Sequence, residues 1–424
     1  MHTTQAPRER ALLIQMVDED PDRAERLAEE LRRLVVSAGL EPVGARMVAL
    51  ARIVPATFLG KGRLEVLAGE IQEHDVRVVV FNNALSPVQQ RNLERALVAK
   101  VVDRTGLILE IFAARARTRE GCLQVELAAL LYEQSRLVRS WTHLERQRGG
   151  VGMRGGPGET QIELDRRQIR VRIQRLKKSL CDVERTRTLQ RRERQDVPLF
   201  VTALVGYTNA GKSTLFNRLA TAHVDAEDKL FATLDPTMRG ITLPDGGRAI
   251  LCDTVGFIRD LPHQLVAAFR ATLEEVVSAD LLLHVVDISD PEWGDQAQAV
   301  LAVLTELGVQ HKPMLTVYNK ADMLPEGSGQ VSRLEEREES LVISARTGLG
   351  LDLLLARLAT ARTQTWQEYR LTLPACDGAL LARLCREGRI LTRQEMGDEI
   401  EVTLALPVAG RGRLRDVLAR YATT

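Results

Sequence analysis

Eight consecutive residues, Gly206-Tyr207-Thr208-Asn209-Ala210-Gly211-Lys212-Ser213, carry the plainest chemistry in the chain. They spell GxxxxGK[ST] between an apolar run, Pro198 to Val205, and an amphipathic stretch, Thr214 to Leu219. In that strand–loop–helix setting, backbone N–H groups and the helix N-terminus cradle α- and β-phosphates. Lys212 then reaches the β/γ-phosphates and the Ser213 hydroxyl ligates Mg²⁺.

Three further fragments follow in order. The strand Arg248 to Asp253 ends in Asp253-Thr254-Val255-Gly256, where the carboxylate can hold Mg²⁺ through water and the Gly256 N–H can meet a γ-phosphate. Asn319-Lys320-Ala321-Asp322 follows the strand Met314 to Tyr318. A carboxylate there accepts from both N1–H and the 2-amino group of guanine, a donor pair that adenine lacks, so Asp322 selects GTP. Asn319 would tie this loop to the phosphate loop, and the Lys320 stem would cover the base. Ser344-Ala345-Arg346, at the end of an expected strand Val342 to Ala345, would offer a backbone N–H to guanine O6.

A threonine for Mg²⁺ and γ-phosphate must come from Phe231-Ala232-Thr233-Leu234-Asp235-Pro236-Thr237. Thr233 is preferred to Thr237 because it lies 20 residues from both Ser213 and Asp253. Phe231, Ala232, Leu234 and Asp235 count with it as nucleotide-side residues, as does Thr214 behind Ser213. The metal set is therefore Ser213, Thr233 and, through water, Asp253. Lys212, Asn209, Thr233 and Gly256 are expected to act on the reacting phosphates. In small GTPases the residue after DTxG is a glutamine that orients the attacking water; here it is Phe257, so slow turnover by the lone protein is expected.

These loops need a scaffold. Leu281 to Asp287 adds a buried strand, and Ile241 to Leu243 with the turn Pro244 to Gly247 adds a hairpin partner for Arg248 onward. The sum is a doubly wound, six-stranded, mostly parallel sheet over residues 196–364. Residues 1–118 read as a separate α/β domain, with strands at Ala11 to Val17 and Asp75 to Phe81 and helices at Asp22 to Ser37 and Ser86 to Lys100. Gly60-Lys61-Gly62 in this domain could approach a phosphate, which leaves ATP use open there. Residues 365–424 read as βαββα, a small α+β domain: Tyr369 to Leu373, Ala379 to Arg386, Arg389 to Arg393, Glu399 to Leu406 and Leu414 to Tyr421.

Residues 119–195 differ in kind. Leu123, Leu127, Leu130, Gln134, Leu137, Trp141 and Leu144 form a heptad seam, and Ile162, Ile169, Ile173, Leu176, Leu180 and Val183 form a second. Two such helices with a short link pack as an antiparallel hairpin, with arms of about 25 to 30 residues holding a tip roughly 40 Å from the base. The tip, Gly149 to Gly158, has six glycines in ten residues and is expected to be non-helical. Arg146, Arg148, Arg154, Arg166 and Arg167 surround it. The formal net charge of +1 conceals a local excess of +8 between Asp165 and Arg194, from 12 Lys/Arg against 4 Asp/Glu. One-signed charge beside free backbone N–H groups points to nucleic-acid contact without separating RNA from DNA.

Composition excludes other classes. Hydrophobic residues at 45% and charged residues at 27% rule against disordered and collagenous chains. The five scattered cysteines, Cys122, Cys181, Cys252, Cys376 and Cys385, fit reduced thiols in a cytoplasmic protein. The amino end lacks an apolar signal segment, and no run approaches the ~18 apolar residues of a membrane span.

GYTNAGKST, FATLDPTMRGI and DTVGFIRDLP, with GGVGMRGGPGETQIELDRR upstream, resemble the HflX branch of the Obg-HflX GTPases over about Arg10 to Thr360. The resemblance implies a GTPase that binds the large (50S) ribosomal subunit, with the hairpin tip near ribosomal RNA, and in some members splits stalled ribosomes. In related GTPases an asparagine at the place of Asn209 helps hold a monovalent cation such as K⁺ that offsets phosphate charge; the alternative is that Asn209 only tolerates the turn's backbone angles. A cytoplasmic monomer is expected, with GTP-dependent subunit binding, ribosome-stimulated hydrolysis, and a role in splitting, rescue or recycling. The alternatives are a ribosome-assembly or RNA-remodelling NTPase, and a GTP-dependent switch that docks proteins on its hairpin.

Overall fold

The computed structural model describes residues 8–17, 20–49, 53–147, 157–194, 200–220, 230–231, 233–259, 273–325, 333–334, 340–364, 366–407 and 414–423. Its strands form three sheets. The first belongs to β1 (Arg10–Val17), α1 (Pro21–Ser37), β2 (Glu41–Ala49), α2 (Lys61–Glu73), β3 (Val78–Phe81), α3 (Pro87–Leu97), β4 (Lys100–Asp103) and α4 (Arg104–Arg115). Its strands run parallel in the order β2-β1-β3-β4. α1 starts where Asp20 accepts from the Arg23 N–H, with Pro21 in the first turn, and buries Ala24, Ala28, Leu31, Leu34 and Val35 on one stripe. Ser86 heads α3 with a capping box to Gln89.

Two boundaries differ from expectation for one reason. α3 stops at Leu97 rather than Lys100 because Val98 turns left-handed at φ 51°, which frees Lys100 to open β4. β3 starts at Val78 rather than Asp75, which is left-handed at φ 46°. Neither turn carries a glycine to announce it.

α5 (Arg119–Gln147) and α6 (Pro157–Arg194) pack against each other. Arg172 and Glu126 pair at 2.5 Å although 46 positions apart, as two antiparallel helices require. Leu127, Ile173, Leu176 and Leu180 are buried, with Leu123, Leu130 and Ile169 beside them, so the seam holds over its described part. With 38 residues, α6 exceeds the expected arm and extends about 57 Å. It begins at Pro157, so Gly158, expected in the non-helical tip, is helical. Gly149 to Gly156, with Arg148 and Arg154, lie outside the described residues, as do the side chains of Leu137, Trp141, Leu144, Arg146 and Ile162. Arg166 is half-buried and Arg167 exposed on α6.

The six-stranded sheet contains β5 (Phe200–Gly206), β6 (Thr237–Thr242), β7 (Arg248–Asp253), β8 (Leu281–Asp287), β9 (Met314–Asn319) and β10 (Ser340–Val342) in the order β10-β9-β8-β5-β7-β6. Only β6 runs antiparallel. Its helices are α7 (Lys212–Ala220), the short α8 (Glu274–Ser278), α9 (Trp293–Glu306) and α10 (Leu351–Gln364). β10 lies earlier than the expected Val342 to Ala345, which leaves Ser344 and Ala345 free to turn toward the strand ends. β11 (Trp366–Pro374), α11 (Gly378–Glu387), β12 (Arg389–Met396), β13 (Glu399–Pro407) and α12 (Arg415–Tyr421) form the expected βαββα. The two-residue β14 (Ala422–Thr423) adds an edge to this antiparallel sheet.

The cores reveal how these parts join. One face of the large sheet packs on α7 and α10 through Leu204, Leu215, Val285 and Leu354. Residues on the other face, Ala203, Val205 and Leu282, share a single apolar cluster with Leu31 and Leu34 of α1, Phe112 of α4, and Leu127 and Ile173 of the hairpin. The N-terminal sheet, the hairpin base and the large sheet are thus packed together. Among the described residues no helix is long and apolar enough to cross a membrane.

Candidate nucleotide site

The loops after β5, β7, β8, β9 and β10 meet at one end of the large sheet, where a doubly wound fold binds its ligand. A cavity of about 920 Å³ opens there, lined by Thr208, Asn209, Gly211, Thr214, Asn319, Lys320, Asp322, Ala345 and Arg346 among others. Three of the four expected motif loops line this cleft, and the fourth, Asp253 to Gly256, lies against the phosphate loop beside it.

Backbone demands explain the phosphate loop. A Cβ at Gly206 would collide with the Val285 carbonyl oxygen, and one at Gly211, at φ 90°, would collide with the Asn319 amide. Asn209 is left-handed at φ 63°, a conformation asparagine tolerates better than most, so the turn alone accounts for its type. Lys212 is buried and donates to the carbonyls of Gly206 at 3.0 Å and Tyr207 at 2.8 Å. Burial lowers its ammonium pKa to about 8, against the opposing pull of Asp253.

Ser213 Oγ lies 2.7 Å from Thr233 Oγ1 and donates to Asp253 Oδ2 at 2.7 Å; Thr233 Oγ1 donates to the same oxygen at 2.9 Å. Two hydroxyls and a carboxylate so gathered make an oxygen-only donor set of the kind that Mg²⁺ takes directly or through water. Asp253 Oδ1 is buried with no hydrogen-bond partner, and burial raises the carboxyl pKa. An orphaned oxygen beside two hydroxyls is a fit for that cation. Thr237 opens β6 and pairs with Asp253 only through strand register.

Asn319 ties the site together. Its amide donates to the Ala210 carbonyl at 2.9 Å, and its oxygen accepts from the Ala345 N–H at 2.9 Å. One residue therefore spans the phosphate loop and the loop after β10. Lys320 is left-handed at φ 66° and pairs with Asp287 at 2.6 Å. Asp322 accepts from Ser344 Oγ at 2.7 Å and stands 3.3 Å from Arg346 Nε.

Several expected nucleotide-side residues have side chains occupied elsewhere. Phe231 and Leu234 are buried in the shared core, with Phe231 edge-on to Phe112 at 4.7 Å between centroids. Asp235 accepts from the hairpin base rather than facing the cleft. Thr254 Oγ1 donates to the Leu204 carbonyl at 2.5 Å, and Val255 is buried. Tyr207 Oη donates to Glu30 at 2.9 Å and accepts from the Arg259 N–H at 3.0 Å. These residues have only their backbone to offer a nucleotide. Ala232 lies outside the described residues. Phe257 is 2% exposed, bridged to the phosphate loop through Thr208 N–H to Phe257 O at 2.7 Å and Phe257 N–H to Gly206 O at 3.1 Å. A Cβ at Gly256 would sit 2.8 Å from Thr208 Cα, so the close approach requires glycine.

Nothing in the residue order announces the cleft's outer wall. Arg26, Glu29, Glu30, Arg33 and Ser37 of α1 line the same cavity. Arg104 of α4 pairs with Glu30 and donates to the Arg259 carbonyl at 3.3 Å, while Arg259 and Arg26 both pair with Glu292 at 2.7 Å. The polar face of α1 reads as a solvated helix surface; its i, i+3, i+4 charges do not reveal what they face. Gly60 only caps α2, without a side-chain hydrogen bond.

The chain is similar to known GTPases along most of its length. Three family models match consecutive stretches: "GTP-binding GTPase N-terminal" over residues 25–113, "GTP-binding GTPase Middle Region" over 115–194, and "50S ribosome-binding GTPase" over 201–320. A GTPase HflX from Magnetococcus marinus is 58% identical over 422 residues, covering 99% of this chain and 97% of that protein. A GTPase HflX from Escherichia coli is 48% identical over 356 residues, covering 84% and 83%. A GTP-binding protein from Sulfolobus solfataricus, solved with GDP, is 25% identical with a TM-score of 0.47, covering 84% of this chain and 99% of that one.

Proposed function

Because the chain belongs to the HflX family of GTPases, we propose that it uses GTP to gate binding to the large (50S) ribosomal subunit. Ribosome-stimulated hydrolysis would end each binding event, in ribosome splitting, rescue or recycling. The observation that most supports this reading is the single core in which the hairpin base and the nucleotide loops are packed.

At the site, backbone N–H groups from Asn209 to Thr214 and the N-terminus of α7 receive the α- and β-phosphates. Lys212, held by the Gly206 and Tyr207 carbonyls, would reach the β/γ edge. Ser213, Thr233 and Asp253, the last through water, are the residues that would hold Mg²⁺, whose contribution when bound is to offset charge on the phosphate oxygens. The Gly256 N–H serves the γ-phosphate, and Asp322 reads guanine beside the Ser344-Ala345-Arg346 loop, whose Ala345 N–H is held by Asn319. Phe257 is buried and apolar, so no side chain at that position orients a water. Basal turnover is slow for that reason, and a partner that acts on the switch segments accelerates it.

Sedimentation with purified ribosomes in GDP or a non-hydrolysable GTP analogue tests the proposal, scoring both binding and subunit separation. Replacing Arg146, Arg148 and Arg154 with Glu should abolish subunit binding while GTP affinity stays intact. Binding by wild type should also weaken steeply with log[salt] if the basic hairpin meets RNA phosphates. Mutants that still co-sediment would sink the RNA contact.

A further inference from the structure

The start of the hairpin is bound by a residue more than a hundred positions away. The Asp235 carboxylate accepts from the backbone N–H groups of Arg117 and Thr118, each at 3.1 Å, and from Thr118 Oγ1. Thr118 Oγ1 also accepts from the Gly121 N–H at 3.0 Å, so this one hydroxyl caps the first turn of α5 and holds the carboxylate. A Cβ at Gly121 would stand 2.5 Å from Asp235 Oδ1, so a side chain there would displace the carboxylate. A carboxylate placed just ahead of a helix N-terminus is a favourable electrostatic arrangement. Here the carboxylate is supplied by the nucleotide-side segment.

Asp235 is only two residues beyond Thr233, whose hydroxyl lies 2.7 Å from Ser213 Oγ and 2.9 Å from Asp253 Oδ2. Two residues span at most about 7 Å, so the link has little slack. Leu234 between them is buried, and Phe231 on the other side of Thr233 is fixed against Phe112 of α4. A displacement at the base of α5 must therefore appear at Thr233.

We infer that the first turn of α5 is a positioning element for GTP hydrolysis: Thr118 and Gly121 hold Asp235, and through it hold the Thr233 hydroxyl at the metal site. Neither Thr118 nor Gly121 touches the nucleotide. The inference rests on the role given to Thr233 above, and it supplies the route by which a load on the hairpin reaches the reacting phosphates.

Basal turnover of the full chain, without ribosomes, tests this directly. Thr118→Val keeps the volume and removes the hydroxyl; kcat for GTP should fall about tenfold while KM for GTP and Kd for GDP stay within about twofold, since GDP has no γ-phosphate for Thr233 to meet. Thr118→Ser should restore kcat. Gly121→Ala, which crowds Asp235 from the opposite side, should reproduce the Thr118→Val pattern. Unchanged kcat in both variants overturns the inference, and so does a loss of kcat matched by an equal loss of GDP affinity. Stimulation by large subunits is measured separately. A wild-type chain that subunits fail to stimulate removes the ribosome reading, while the basal comparison still decides this one.

Discussion

Asp322 and His284 show opposite uses of a polar side chain. Asp322 lines an open cleft with its carboxylate held by Ser344 and Arg346, and on the proposed reading a guanine edge supplies the donor pair it accepts from. Asp322→Asn keeps one acceptor and adds a donor, so GTP affinity should fall roughly a hundredfold while a xanthine nucleotide, with a carbonyl at position 2, gains. Competition titrations with the two triphosphates measure this. His284 is buried in β8 with no partner for Nε2, and burial, aided by Lys212, lowers its pKa from 6.5 to about 4. The unfolded chain takes up that proton near pH 6.5 and the folded one only near pH 4. Stability is therefore full above pH 6.5 and declines toward pH 4, by on the order of 3 kcal/mol. Urea titrations of nucleotide-free His284→Leu should show a flatter profile in that window; an unchanged slope would remove His284 as its cause. The motif residues were legible in sequence because each loop's chemistry is local. The orphaned state of His284 was not, since LLLHVVD reads simply as a strand.

Among the elements, the segment after Asp253 departs furthest from a hydrolytic site read by motif alone. Phe257 is a wedge between the phosphate loop and the shared core, where a glutamine would bury an unpaired amide. Phe257→Gln should cost about 2–4 kcal/mol of stability and leave basal turnover no faster. Denaturant melts and single-turnover assays check the two halves; a faster enzyme would show that position 257 can reach the attacking water. Element types were recovered well because apolar periodicity and caps such as Ser86-Pro87 are local signals. Boundaries slipped at Val98 and Asp75, where left-handed turns use residues that carry no turn signature. The second half of the hairpin was underestimated because its heptads continue through polar, arginine-rich turns.

For the whole molecule, the domains read from sequence are not independent bodies. α1, α4, the hairpin base and one face of the large sheet share a core, and Glu30, Arg104, Tyr207 and Arg259 bridge it with hydrogen bonds. Residues 8–364 should therefore unfold in one main calorimetric transition, with the small C-terminal sheet, which has its own core, free to melt apart. In a double-mutant cycle, Glu30→Gln and Tyr207→Phe should couple by at least about 0.5 kcal/mol, since the two side chains share a hydrogen bond. Strict additivity would show that the domains merely touch.

The sequence alone determined the nucleotide chemistry, the doubly wound sheet and the hairpin, because phosphate loops, guanine readers and heptads are written in residues close together in the chain. Tertiary structure decided what those elements face. α1 walls the nucleotide cleft, Asp235 turns to the start of α5, and the Tyr207 hydroxyl joins an interdomain network. The physical reason is that a carboxylate or hydroxyl has the same appearance in sequence whether it meets water, a nucleotide or a distant helix. Only packing over a hundred or more residues of separation selects the partner.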